Sequence, residues 1–197
     1  KQPFGTELHL PFNFALTMLD WKAEAVRGFV DVYEGTIPAH GWANYVLGNH
    51  DQPRVASRIG DAQARIAAML LLTLRGTPFL YYGDELGMRD VNIPAAQYQD
   101  PQGINIGISR DPERTPMQWN AAPNAGFTQP GVVPWLPLAL DYETVNVEAE
   151  QDNPRSMLTL CKRLIDLRRS DETLSLGGYA PLDAPDGVFA YVRGGKY

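Results

Sequence analysis

Apolar residues recur along the chain in two patterns, short continuous runs and longer repeats at helical spacing. The continuous runs, typical of buried strands, cover residues 7–14, 42–47 and 78–82. The helical repeats predict helices over residues 21–33, 61–75 and 153–169. Asp61 and Asn153 are suitable N-caps for the second and third helices. A strand, a helix and another strand with short joins form a βαβ unit, so we predict an α/β fold with parallel strands.

Two segments depart from this alternation. Residues 86–150 are rich in Pro, Gly, Asn and Gln and form a long loop, which is either disordered or functional. The motif-like run RDPERTPMQW at 110–119 favours an ordered loop near a site. After Ser170 the composition shifts, and a β-type run at 188–192 follows paired glycines. We therefore predict a partial α/β domain over 1–172 and the beginning of a β domain over 173–197.

Charge and cysteine content narrow the class of protein. The 197 residues carry a net charge of −6, which argues against nucleic acid or an anionic membrane surface as the default partner. The continuous apolar runs fall short of the about 18 residues of a membrane-spanning helix. Cys161 is the single cysteine, and its apolar helical neighbours predict a buried core thiol. A chain that forms no internal disulfide fits a reducing compartment, and we expect a cytoplasmic protein.

The strongest candidate chemistry follows the strand predicted at 42–47. His50 and Asp51 come directly after it, and Arg54 is close by. Polar residues after such a strand are how α/β proteins present chemistry at one end of the sheet. An aspartate beside an arginine is expected to stay ionised, and with flanking donors it could accept hydrogen bonds from neutral sugar hydroxyls. A structural salt bridge at the strand end fits the local pattern equally well.

Other polar residues give weaker indications. Arg110 and Arg114, four residues apart, could reach a polar ligand, hold a site carboxylate, or only pin the loop. Asp84 and Glu85 follow the next strand. They could add a second carboxylate to the same site, but we favour capping and ion-pairing of the loop that follows. Asp31 lies at helical spacing, which argues against a strand-end nucleophile.

Several common site types are not indicated. His9 and His40 lack the paired spacing of metal ligands, and we predict no metal site. The glycines do not form a phosphate-binding loop, and the serines do not lie in a nucleophile-elbow pattern.

Taken together, the motifs resemble the α-amylase superfamily, glycoside hydrolase family 13, in its oligo-1,6-glucosidase and α-glucosidase branch. The resemblance rests on VLGNHDQPR at 46–54, LYYGDELGM at 80–88, RDPERTPMQW at 110–119, GF at 126–127 and PW at 134–135. It implies about strands six to eight of a (β/α)8 TIM barrel, followed by the opening of a C-terminal antiparallel β domain.

The resemblance also implies roles for individual residues. Asp51 matches the carboxylate that stabilises the transition state in a retaining attack on an α-glucosidic bond. His50 matches its companion at the same sugar hydroxyls. Arg114 and Arg110 match loop residues around the non-reducing glucose. The implied ligand is an α-linked gluco-oligosaccharide and the implied chemistry needs no organic cofactor, while the calcium sites of the family lie mostly upstream.

The family's nucleophile aspartate and acid/base glutamate have no match here, because residues 8–14 resemble the sixth strand and both positions would precede Lys1. We therefore expect the isolated chain to be inactive and to form a homo-oligomer through its apolar cut edge. Alternatives are a transglycosylase or isomerase of the same superfamily, or a non-catalytic interaction protein like the heavy subunit of amino-acid transporters. The linkage preference, α-1,4 or α-1,6, stays open.

Overall fold

The computed structural model describes residues 10–38 and 41–194. Within them the chain folds into two compact units, one from residues up to 47 with 69–79 and 164 onward, the other from 48–68 and 80–163. The α-helices are α1 (Ala23–Thr36), α2 (Val55–Ile59), α3 (Asp61–Thr73), α4 (Pro101–Ile106), α5 (Val147–Gln151), α6 (Met157–Ser170) and α7 (Glu172–Leu176). The strands are β1 (Asn44–Val46), β2 (Thr77–Phe79), β3 (Gly178–Leu182) and β4 (Ala190–Gly194).

In the first unit, β1 and β2 pair in parallel, with Tyr45 opposite Pro78, which confirms the predicted βαβ pairing. Both strands are shorter than predicted. The chain leaves β1 through an Asx turn, in which the Asp51 backbone N–H donates to the Asn49 side chain at 2.8 Å. It leaves β2 through a turn whose Gly83 has φ +86°. The ladder ends at Val46 and Phe79, before the apolar runs end, and the two turns follow within four residues.

The strand predicted at 7–14 is wrong where it can be followed, because residues 10–14 are irregular. Pro11 has no N–H to donate to a ladder. The Asn44 side chain holds this segment instead. Its amide donates to the Pro11 carbonyl, and its oxygen accepts from the Asn13 N–H at 2.9 Å. Residues 7–9, including His9, and His40 lie outside the described residues.

Helix α1 confirms that Asp31 is helical. Val30 is fully buried, while Asp31 accepts from Arg27 Nε at 3.4 Å and from the Tyr179 hydroxyl. Asp31 therefore holds two neighbours in the first unit and is not a strand-end nucleophile.

The β-type run near the end of the chain forms a hairpin. β3 and β4 are antiparallel, with Gly178 opposite Gly194, and β4 starts two residues later than the predicted run. Arg193 stabilises the hairpin base by donating to the Gly178 and Gly177 carbonyls, at 2.9 and 2.5 Å. A division of the chain at residue 172 stays a prediction.

Two helix starts differ from the predicted ones. Residues 153–156 form a turn, in which the Asn153 side chain accepts from the Arg155 N–H at 3.0 Å. Ser156 is the residue whose side chain caps α6, by accepting from the Thr159 N–H at 3.0 Å, so the predicted start at Asn153 is wrong. Asp61 is the first residue of α3, because α2 leads into it through Gly60 alone.

The long loop predicted at 86–150 is ordered, as predicted, and supplies most of an apolar core in the second unit. Leu86, Met88, Met117 and Leu158 form this core. Cys161 is 1% exposed, and burial raises its pKa to about 12, which confirms the buried core thiol. Of the helices among residues 10–38 and 41–194, none is long and apolar enough to cross a membrane.

Arg168 closes the C-terminal end of α3 in the first unit. Its Nη1 donates to the carbonyls of Leu72 at 3.0 Å and Leu74 at 2.8 Å, and its Nη2 donates to that of Gly76. These carbonyls belong to the last helical turn and the segment after it, where the helix itself supplies too few donors.

We expect Arg168→Met to lower the free energy of unfolding by about 2 to 4 kcal/mol, because it keeps the apolar stem but leaves buried carbonyls without donors. Urea unfolding measures the change. Arg169→Met, at the exposed next position of α6, is the matched control and should have little effect. Equal losses in the two variants would contradict the capping role.

Candidate functional site

Asp51 stands on the turn that follows β1, and its side chain is 45% exposed. The Asx turn with Asn49 fixes its backbone. Its carboxylate is therefore held on a short connection and faces solvent, which suits contact with a ligand.

Two arginines from the long loop meet Asp51 on one oxygen. Arg110 Nη1 lies 3.1 Å and Arg114 Nη2 lies 3.0 Å from Asp51 Oδ1. Arg114 also donates from Nε to the His50 carbonyl at 2.7 Å. The structure thus brings together residues about sixty positions apart, and the arginines hold a site carboxylate instead of only pinning the loop.

His50 lies on the other oxygen. Its Nε2 is 3.3 Å from Asp51 Oδ2, and its side chain is 66% exposed. Asp51 therefore presents two different oxygens. Oδ1 is occupied by guanidinium groups, while Oδ2 faces a solvent-exposed imidazole that can itself donate or accept.

Arg54 does not pair with Asp51, so that part of the sequence prediction is wrong. Its side chain is fully buried, and its Nη1 donates to the Tyr82 carbonyl at 2.6 Å. The guanidinium carbon lies 5.2 and 4.8 Å from the ring centroids of Tyr81 and Tyr82. Aromatic faces attract a desolvated cation, so the rings replace the solvent that Arg54 has lost.

Tyr81 and Tyr82 also hold the loop that carries Arg110 and Arg114. The Tyr81 hydroxyl donates to the Glu113 carbonyl at 3.2 Å, and the Tyr82 hydroxyl donates to the Thr115 carbonyl at 2.7 Å. The backbone of Arg114 is therefore fixed on both sides. This arrangement was not predicted, because no sequence signal pairs a hydroxyl with a particular distant carbonyl.

Asp84 lies beneath the Asp51 turn and is 9% exposed. A Cβ at Gly48 would meet its carboxylate, so a larger residue there would require the Asp84 side chain to move. Its Oδ1 has no hydrogen-bond partner among the described residues. Burial raises the pKa of Asp84 to about 7, and the nearby Arg54 opposes that rise.

Glu85 has the local role predicted for it, because its side chain accepts from the Gly83 N–H at 2.8 Å and closes the turn. Asp100 was missed by the sequence reasoning. It is buried and binds Arg110 through both carboxylate oxygens. The Asp-Pro pair at 100–101 signals a helix start, but it gives no hint of a salt bridge.

The group formed by His50, Asp51, Arg110 and Arg114 can bind and polarise a ligand. It offers a carboxylate acceptor beside donors, which can bind vicinal hydroxyls and stabilise a developing positive charge. Among residues 10–38 and 41–194, no cluster of three or more His, Cys, Asp or Glu side chains could hold a metal ion.

We expect Asp84→Asn to flatten the dependence of stability on pH. Because the folded pKa, about 7, lies above the ordinary 3.8, the contribution of Asp84 to stability is fully present below about pH 4 and is lost as the pH rises through about 7. The full difference corresponds to at most about 4 kcal/mol. The free energy of unfolding of the native chain should therefore fall more between pH 4 and 8 than that of the variant, as urea unfolding would show.

Asp152→Asn makes the same change of charge at an exposed position and controls for net charge. If the native chain and Asp84→Asn had the same pH slope, the buried carboxyl would not be the source of the dependence.

Comparison with known proteins gives a family match over most of the chain. The model for the Alpha-amylase family, described as "Alpha amylase, catalytic domain", matches residues 5–177.

Individual relatives carry different names. The chain is 36% identical to the human amino acid transporter heavy chain SLC3A1, over 97% of this chain and 27% of that protein. It is 31% identical to the oligo-1,6-glucosidase of Parageobacillus thermoglucosidasius, over 97% of this chain and 41% of that protein. A crystal structure of the alpha-glucosyl transfer enzyme XgtA superposes with a TM-score of 0.87 at 34% identity, covering 96% of this chain and 37% of the other.

The chain spans less than half the length of each of these proteins. Its two parallel strands and the helices between them are consistent with part of the barrel of its structural neighbours. The match over residues 5–177 shows that the chain belongs to the α-amylase family, glycoside hydrolase family 13, and forms part of a (β/α)8 barrel.

Proposed function

We propose that this chain is part of a retaining glycoside hydrolase that acts on α-glucosidic bonds of small gluco-oligosaccharides. The observation that carries the proposal is the Asp51 carboxylate, exposed on the turn after β1 with two arginines on Oδ1 and His50 beside Oδ2. A group so arranged serves to bind and polarise a sugar.

In the proposed mechanism Asp51 accepts hydrogen bonds from two hydroxyls of the distorted glucose. Its negative charge, held in place before the substrate arrives, stabilises the oxocarbenium-like transition state. Arg110 and Arg114 keep the carboxylate oriented, and His50 donates to the same hydroxyls. A nucleophile and an acid/base carboxylate must complete the reaction, and by the family resemblance they belong to barrel strands before those matched here.

The remaining features of the proposal follow from this chemistry. Transfer of the glycosyl group to a carboxylate nucleophile and then to water, with a second carboxylate as acid and base, needs no organic cofactor. We expect neither nucleic acid nor membrane as a partner. The buried Cys161 thiol suits a reducing compartment, so we place the protein in the cytoplasm.

Transfer of the glucosyl group to another acceptor is the second candidate, because the alpha-glucosyl transfer enzyme XgtA is a structural neighbour. The two activities share the Asp51 chemistry and differ in whether water or a sugar attacks. A non-catalytic role is favoured by the similarity to the amino acid transporter heavy chain. Against that role, this chain keeps the histidine and aspartate that carry the chemistry.

We expect the purified 197-residue chain not to hydrolyse p-nitrophenyl α-glucoside. A longer polypeptide that adds the upstream barrel strands should turn it over, and Asp51→Asn in that polypeptide should lower kcat at least about a hundredfold by removing the stabilising charge. Asp61→Asn, at an exposed position of α3, is the matched control.

Product analysis separates the candidates. Glucose released from maltose or isomaltose supports hydrolysis, and new disaccharides from sucrose or maltose support transfer. A well-folded longer polypeptide that does neither would favour the non-catalytic role. Robust turnover by the 197 residues alone would contradict the fragment interpretation.

We also expect the isolated chain to self-associate. Phe12, Phe14 and Met18 are 56%, 43% and 73% exposed in the first unit, and exposed apolar groups of this size drive association. Sedimentation velocity should give a dimer or larger species, and Met18→Ser should weaken it. Leu140→Ser, at a fully exposed single leucine, is the control. A clean monomer at all concentrations would rule out association through this surface.

A further inference from the structure

The loop that delivers Arg110 is closed by two buried aspartates. Asp111 Oδ2 accepts from the backbone N–H groups of Gln99 and Asp100, at 2.6 and 3.0 Å. In return Asp100 Oδ2 accepts from the Arg110 backbone N–H at 2.9 Å. The two ends of the loop are therefore joined by reciprocal side-chain to backbone hydrogen bonds.

The interior of the loop leaves little room for rearrangement. Helix α4 begins directly after Asp100 and ends at Ile106, and Gly107, with φ +76°, caps it. Gly103 of α4 packs so closely on Ser109 that a Cβ would meet that side chain. The chain must therefore return to Arg110 along a defined path.

Asp100 grips the Arg110 side chain as well as its backbone. Arg110 Nε donates to Oδ2 at 2.9 Å and Nη2 donates to Oδ1 at 2.7 Å. The Asp100 side chain is fully buried. A planar guanidinium held along one edge by two parallel hydrogen bonds has a fixed orientation, and its remaining nitrogen, Nη1, reaches Asp51 Oδ1 at 3.1 Å.

Arg114 is held differently. Its Nε donates to the His50 carbonyl, and neither of its recorded side-chain contacts involves Asp100. One arginine of the pair is therefore anchored by a carboxylate and the other by a backbone carbonyl. The contacts with Arg110 lower the pKa of Asp100, so this anchor is ionised at neutral pH.

We propose that Asp100 is a positioning residue, which aims Arg110 Nη1 at Asp51 Oδ1 and thereby fixes the orientation in which the Asp51 carboxylate meets the sugar. The orientation of Arg110 by Asp100 depends only on contacts within this chain and needs no substrate. Its consequence for the sugar rests on the function proposed above.

The structural alternative is that Asp100 only caps α4, since its Oδ1 accepts from the Gln102 N–H at 3.2 Å. Asparagine caps a helix about as well as aspartate. Asp100→Asn therefore keeps the cap but removes the charge and one of the two acceptors that hold the guanidinium.

The first test is NMR of the arginine Nε–H groups in the 197-residue chain. We expect the Arg110 Nε–H of the native chain to exchange slowly with solvent, and Asp100→Asn to make that exchange at least about tenfold faster. The Arg114 Nε–H is an internal reference and should keep its rate and chemical shift in both proteins.

Asp61→Asn is the matched control. Asp61 binds Arg89 at 2.7 Å in an exposed pair of the same unit, with no recorded contact to Asp51. It should leave the Arg110 signal unchanged. An unaltered Arg110 signal in Asp100→Asn would overturn the proposal, and so would loss of the Arg110 and Arg114 signals together, which would show that Asp100 maintains the loop fold instead.

The second test uses the longer polypeptide with the upstream barrel strands. Asp100→Asn should lower kcat/KM about tenfold to a hundredfold, as expected when a group in the site is misplaced, mainly through kcat. Asp100→Glu, which keeps the charge, should recover part of the loss. If the polypeptide proves inactive, the proposed function fails, while the exchange of the Arg110 Nε–H still decides whether Asp100 aims it. Normal kcat/KM in Asp100→Asn would overturn the link to the sugar.

Discussion

The burial of Arg54 is the constraint on which the site depends. A guanidinium with no exposed surface is costly unless its charge is compensated, and here Nε and Nη2 have no hydrogen-bond partner among the described residues. The rings of Tyr81 and Tyr82 and the Tyr82 carbonyl supply the compensation. Arg54 thus fixes the segment after β2 against the segment after the Asp51 turn.

Tyr81 and Tyr82 also contact the loop that carries Arg110 and Arg114, because their hydroxyls donate to the carbonyls on either side of Arg114. Three stretches that are distant in sequence are joined through two aromatic side chains. The position of Arg114 relative to Asp51 is therefore set by buried contacts instead of by the flexible ends of the exposed side chains. Preorganisation of this kind is what electrostatic stabilisation of a transition state requires.

The sequence predicted the alternating elements, the parallel pairing and the residues that meet at the site, since these follow from periodicity and from motifs. The sequence predictions were wrong or incomplete where a single side-chain contact, and not a periodic pattern, determines the local structure. The apolar run at residues 10–14 reads as a strand, yet the Asn44 side chain binds its backbone. Arg54 was predicted to pair with Asp51 because it is near in sequence. In the structure Arg110 and Arg114, which are distant in sequence, pair with Asp51 instead. Asp100 carries no local signal of its salt bridge.

The two Asp51 oxygens have different neighbours, and this difference bears on the role of Asp51 in the site. Two cationic donors on Oδ1 hold the carboxylate in one orientation, but they also share its negative charge with any ligand that binds there. Oδ2, which has only His50 beside it among the described residues, is the oxygen more open to a ligand. A carboxylate committed in this way to two arginines is poorly suited to attack an anomeric carbon, since its charge is already shared. The geometry therefore fits the binding and stabilising role proposed for Asp51, in which other carboxylates make and break the glycosidic bond.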